Sequence, residues 1–193
     1  MATVLGAQTT QGDRDRRGRE LEGLLLRTGR GDREAFALLY GQTRGAVYAL
    51  ALSMVHNAHE AQDVAQDVFV RVWESAPAYR PQGSPMAWLL TIARNLALAR
   101  LRRSERQVEL DREEWDAIPA RDPGISPEDR QLLQQALAGL GEEERQIILL
   151  HAVAGLKHRE IARLLEKPLS TVLSKYHRGL GKLRSMMKGE SDQ

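Results

Sequence analysis

The 193-residue chain contains no cysteine. That removes disulfides, thiolate zinc sites and thiol nucleophiles from consideration. It has no apolar run near the roughly 20 residues that a membrane-spanning helix needs. Its N-terminus lacks the apolar segment that follows the charges of a secretory signal. No Gly-rich phosphate loop and no nucleophile motif occurs. No stretch alternates with period two, so no strand is expected. Net charge is small as well, at +2. What is left is an all-α, cytoplasmic chain for which neither catalysis nor a cofactor or metal is expected. The 42% hydrophobic and 28% charged content is ordinary for a soluble globular protein. The length suits one medium domain or two small ones.

What is present is a charge pattern. Residues 94–103 hold four arginines and no acid, residues 105–129 hold nine acids against three arginines, and residues 172–188 hold five Lys or Arg and no acid. Two basic helix ends separated by an acidic stretch suggest two contacts with a polyanion, joined by a segment that avoids it.

Residues 1–17 read as a disordered tail, and helical patterns begin near Arg19. Leu21, Leu24, Leu25 and Thr28 form an amphipathic stretch ending at Gly29, and Asp32 is placed to cap a helix carrying Phe36, Leu39 and Tyr40. An apolar-rich segment, Ala46 to Val55, follows. Ala61, Val64, Ala65, Val68, Phe69, Val72 and Trp73 then repeat with helical spacing and predict a complete buried stripe. The segment SAPAYRPQGSP (75–85) cannot stay helical, and Ser84-Pro85 opens a new helix running to Arg102-Arg103. This gives an N-terminal domain over 18–104. Residues 105–125 form an acidic, flexible linker broken by Pro119, Pro123 and Gly124. A C-terminal domain spans 126–188 and a short tail 189–193. In that second domain Leu132, Leu133, Ala136, Leu137 and Leu140 predict one helix, 142–153 a second and 158–166 a third. After the turn Lys167-Pro168-Leu169, Ser170 is placed to cap the last.

A short helix, a tight turn and a helix rich in Lys and Arg make a helix-turn-helix. In that arrangement the second helix lies in the major groove and its basic residues grip phosphates. Thr171, Ser174, Lys175, Arg178 and Lys182 share one side of the last helix. A second basic element is the helix from Pro85, where Thr91, Arg94, Asn95, Leu98 and Arg102 share a side. The loop before it, with Tyr79, Arg80, Gln82 and Ser84, could hold an unstacked base. Asp63 and Asp67 form an acidic ledge one helical turn apart. Such a pair does not favour the helix and would repel DNA, so a protein partner with basic residues is its natural counterpart. His56, His59 and Asp63 have spacings that could hold a metal, which keeps a helical hydrolase open as an alternative. A conventional helix-turn-helix regulator is another.

The succession ALLYGQTR, AQDVAQDVFVRVW, SPMAWLLTIARNLALARLRR, linker, LHAVAGLKHREIARLLEKPLSTVLSKYHRGLGKLR resembles the extracytoplasmic-function sigma factors of bacterial RNA polymerase. That resemblance implies two helical domains and no enzymatic activity. It implies that Asp63, Gln66 and Asp67 face a coiled coil in the clamp of the polymerase's largest subunit. It places Tyr79, Arg80, Trp88, Arg94, Asn95 and Arg102 at the melted minus-ten element. Ser170, Thr171, Ser174, Lys175, Arg178 and Lys182 would lie at the duplex minus-thirty-five element. An anti-sigma factor is the expected regulator. The chain departs from the family pattern where Ala99 stands for a usual Asp, Leu173 for a frequent Lys, and where a Gly is common near Glu166.

Overall fold

The computed structural model describes residues 11–104 and 139–189. The acidic linker and the helix expected around Leu132, Leu133, Ala136 and Leu137 lie outside the described residues, as do residues 1–10 and 190–193. Within the described residues every regular element is helical. The N-terminal module comprises α1 (Gln11–Thr28), α2 (Arg33–Val55), α3 (Ala58–Ser75), a 3-10 turn (Ala76–Ala78) and α4 (Pro85–Ser104). The C-terminal module comprises α5 (Glu142–Ala152), α6 (His158–Leu164) and α7 (Leu169–Gly189).

Local chemistry sets most of the boundaries. The α1 helix closes with paired bonds from Gly31 N to Thr28 O (2.9 Å) and Asp32 N to Arg27 O (3.2 Å), with Gly31 at φ 85. This is the left-handed terminator that glycine adopts without steric cost. Asp32 then accepts from Ala35 N at 3.0 Å and starts α2. That bond and the one from Arg27 hold its carboxyl below the usual range. Asn57 caps α3 by accepting from Glu60 N at 3.0 Å. Ser84 Oγ accepts from Ala87 N at 3.3 Å at the head of α4, with Pro85 in first position as expected.

Three sequence expectations change. Residues 11–17, read as tail, belong to α1. Contacts to the rest of the protein support them, since Arg17 donates to Gln42 O at 3.3 Å and Asp15 lies 3.8 Å from Lys157. Tertiary contact of this kind holds helical turns that composition alone would leave unformed. Ser170 does not precede the last helix; α7 begins one residue earlier, and Pro168 O receives the bond from Val172 N at 3.2 Å. The α3 stripe is also not fully buried. Ala61, Val64, Val68, Phe69 and Val72 are inside, whereas Trp73 is 36% exposed, its ring 5.1 Å edge-on to Phe36.

The two modules share one core. Leu25, Leu50, Val68 and Leu89 belong to the same buried cluster as Ile147, Leu156, Ile161 and Val172. Packing of α2 on α5 and of α4 on α6 joins them. Each fully buried aliphatic side chain of this size contributes about 1.5–3 kcal/mol of transfer free energy. Leu140, Ile148 and Leu183 make a small second cluster between α5 and α7.

Candidate protein and nucleic-acid interfaces

The acidic ledge is real and exposed. Gln62, Asp63, Gln66 and Asp67 all face outward on α3, opposite its buried stripe. Asp63 is tethered from the side, since Arg100 Nη2 on α4 donates to its Oδ2 at 3.1 Å. Glu60 lies 3.8 Å from the same guanidinium. The ledge includes one residue absent from the sequence-based expectation. Val70, one turn beyond Gln66 and Asp67, is 60% exposed. An apolar side chain beside acids suits a partner that is basic but also buries carbon. Its signal was its position three residues beyond Asp67, off the Val64–Val68–Val72 stripe.

The loop and α4 divide into inside and outside. Arg80 is exposed and donates from Nη1 to Tyr79 O at 3.0 Å. Asn95 and Arg102 are exposed, and Trp88 is half-buried. Tyr79 departs from expectation. It is only 5% exposed, packs edge-on against Trp88 with ring centroids 5.1 Å apart, and its hydroxyl pKa is raised by burial. A ring in that position supports Trp88 from beneath and offers no free face on which a base could stack. Arg94 is also partly covered: its side chain is 19% exposed, and Nη1 donates to Glu166 Oε1 on the C-terminal module at 3.0 Å.

On α7 the cations flank the outward face. Val172 and Leu183 are buried against α5 and α6. Lys175 is paired with Glu143, which also accepts from Lys167. Lys182 donates to Glu144 at 2.7 Å, and Arg178 lies 4.0 Å from the same carboxylate. The two bonds from Lys167 and Lys175 hold Glu143 down to about 2. Glu144, 5% exposed, is lowered chiefly by Lys182 and also accepts from Gly141 N at 3.2 Å, so it starts α5 and anchors α7 together. The triplet Glu142-Glu143-Glu144 lies in a first turn, where acids favour the helix dipole, and it has this second role as well. The outermost line of α7 is Ser170, Ser174, His177 and Gly181, with Leu173 and Arg184 beside it, all exposed. His177 and Arg184 were not among the expected contacts. His177 falls on the i, i+4, i+7, i+11 register that starts at Ser170, and Arg184 lies three residues beyond its last member, Gly181; helical spacing counted outward from the buried Val172–Leu183 side would have found both.

The metal alternative finds no geometry. Among the described residues no group of three His, Asp or Glu side chains is placed to hold an ion. His56 instead ends α2 in left-handed conformation, its Nε2 3.2 Å from Glu142 Oε1.

Two sequence families match this arrangement. Sigma-70 region 2 matches residues 39–107, which hold most of α2, the ledge and α4. Sigma-70 region 4 matches residues 130–183, which hold α5, α6 and most of α7. Over 175 residues the chain is 32% identical to the ECF RNA polymerase sigma factor SigK of Mycobacterium ulcerans, covering 87% of this chain and 94% of that protein. The chain belongs to the ECF sigma factors. The ECF sigma factor SigE of Mycolicibacterium smegmatis is 37% identical over 163 residues, 80% of this sigma factor and 62% of that one. Two solved structures share the fold. One is the sigma factor RpoE in complex with the anti-sigma factor NepR from Bartonella quintana, with TM-score 0.63 and 24% identity over 79% of this chain and 96% of that one. The other is CnrH in complex with the cytosolic domain of CnrY, with TM-score 0.58 and 23% identity over 88% and 98%. In this sigma factor, then, the ledge and the first cationic helix lie in region 2, and the second cationic helix lies in region 4.

Proposed function

We propose that this sigma factor binds core RNA polymerase through α3 and delivers it to promoters through α4 and α7. The carrying observation is the separation of charge on one chain. Asp63, Gln66, Asp67 and Val70 form an outward acidic ledge on α3, while the arginines lie on α4 and the lysines on α7. A surface that repels DNA and two that attract it fit a protein held on a machine and on its template together. On this reading Asp63, Gln66 and Asp67 meet the clamp coiled coil of the largest polymerase subunit. Arg80, Trp88, Arg94, Asn95 and Arg102 meet the separated minus-ten strand, with Tyr79 as the support beneath Trp88. Ser170, Thr171, Ser174, Lys175, Arg178 and Lys182, together with His177, lie along the minus-thirty-five duplex. Extruding a base costs a few kcal/mol, which a cationic surface with an aromatic wall can offset. No chemical step is assigned to the chain.

An anti-sigma factor completes the proposal, supported by the two structural neighbours, RpoE with NepR and CnrH with CnrY. Run-off transcription with sigma-free core polymerase over a promoter library tests the central claim. Addition of the chain should create defined start sites. A chain that binds a duplex operator tightly without polymerase, and confers no start-site selection, would instead be a conventional helix-turn-helix regulator.

A further inference from the structure

The turn between α6 and α7 contains an anomaly. Glu166 N bonds to Arg163 O at 3.2 Å and Lys167 N to Ala162 O at 2.9 Å. These are the same paired bonds that close α1 around Gly31. Here, however, the left-handed position is filled by Glu166 at φ 54. Side chains other than glycine are disfavoured there, and Asn or Asp are the usual exceptions. A glutamate in that position calls for something that its side chain does. Its carboxylate reaches across to the other module and accepts from Arg94 at 3.0 Å. Arg94 is far less exposed than its partner, 19% against 74%, so the guanidinium is largely covered where the turn after α6 meets α4, while the carboxylate reaches it from the solvent side. Two more pairs cross the same junction, His56 with Glu142 at 3.2 Å and Lys157 with Asp15 at 3.8 Å. Beneath them lies the core that the two modules share.

We infer that Glu166 is a phosphate substitute built into the helix-turn-helix, and that the chain's own C-terminal module occupies Arg94 in the free protein, in competition with promoter DNA. A carboxylate offers a guanidinium the same oxygen acceptors as a backbone phosphate. While the modules are packed together, Arg94 has its anion. When polymerase separates them, Arg94 is released at the place where single-stranded DNA arrives. The consequence is selectivity for assembled enzyme: the free chain binds DNA less well than its cations would allow.

This rests on the proposed role of Arg94, and the experiment keeps the two apart. A fluorescent mixed-sequence single-stranded DNA 20-mer is titrated with the full chain carrying Glu166→Gln, Arg94→Ala or both, alone and with core polymerase. A partly covered ion pair of this kind is worth up to about a fivefold change in an equilibrium. Glu166→Gln should therefore tighten binding by the free chain by about 1.4-fold to fivefold, have no effect in holoenzyme, and have no effect when Arg94 is already alanine. Glu166→Gly, which also suits the left-handed backbone, should behave as Glu166→Gln does and guards against a folding artefact. An equal gain in the Arg94→Ala background would mean that only net charge matters, and overturns the inference. If Arg94→Ala weakens binding but neither Glu166 variant changes it, Arg94 meets DNA and is not masked, which overturns the inference alone. If Arg94→Ala has no effect in holoenzyme, the role of Arg94 fails and the inference falls with it.

Discussion

Gly29 offers a sharp test of how the N-terminal module holds the loop that leads into α4. It sits between α1 and α2, where a side-chain carbon would lie 2.6 Å from Ala76 O, 2.9 Å from Ala76 C and 3.2 Å from Pro77 N. All three obstacles are backbone, so no rotamer change relieves them. Ordinary contact begins near 3.4 Å, so Gly29→Ala must push the Ala76–Ala78 turn away by about 0.8 Å. Overpacking of this size costs about 1–3 kcal/mol. The loss of glycine's freedom in the unfolded chain returns about 0.4–1 kcal/mol. Three unyielding backbone contacts put the cost in the upper half of that range, so the net loss is about 1–2.6 kcal/mol, or a fall in Tm of about 2–10 °C for a chain of this size. Gly23 is the internal control. It lies within α1, and a methyl group there would have nothing within 4 Å. Gly23→Ala should gain about 0.8–1 kcal/mol of helix propensity, so the same chemical change carries the opposite sign. Thermal melts of the two variants by circular dichroism decide the matter. The displaced turn leads into Arg80, so Gly29→Ala should also slow promoter opening in run-off assays below the melting range. A Gly29→Ala protein that melts at or above the wild-type temperature would show that the turn is not pressed against this glycine.

Other outcomes follow from the same structure. Asp63→Arg with Asp67→Arg should abolish pull-down of core polymerase while costing the fold at most about 1 kcal/mol, because only the surface pair with Arg100 is lost; normal pull-down would disprove the ledge assignment. The Glu143 carboxyl, held near 2 instead of 4.5, contributes stability that is fully present above pH 4.5 and lost as pH falls through 2. With its side chain 41% exposed, the wild-type advantage over Glu143→Gln in urea should be about 1 kcal/mol at pH 6 and shrink between pH 4.5 and 2. A gap independent of pH would refute the pairing. Arg178→Ala should weaken binding only on templates that carry the upstream element and lower the salt slope by about one; an equal loss on templates without the element contradicts the placement of α7.

The helices were legible where local chemistry is strong. Asp32, Ser84 and Pro85 mark their helix starts because a cap needs only its own side chain and the next three residues. The buried face of α3 was legible because a period of 3.6 is a property of the chain itself. The helical order of residues 11–17 was not legible, because it comes from contacts with Gln42 and Lys157 and not from propensity. The burial of Tyr79 was hidden for a similar reason: an aromatic residue in a proline-rich loop has no period to say whether it points in or out.

By its residues alone the chain determined its helical class, its two modules, the exposed acids of α3 and the cations of α4 and α7, because each depends on neighbours a few positions away. Only the tertiary structure decided which cations are already taken. Lys175 and Lys182 are paired with α5, and Arg94 is covered by a glutamate 72 positions along the chain. A charge acts through distance in space, and sequence records distance only along the backbone.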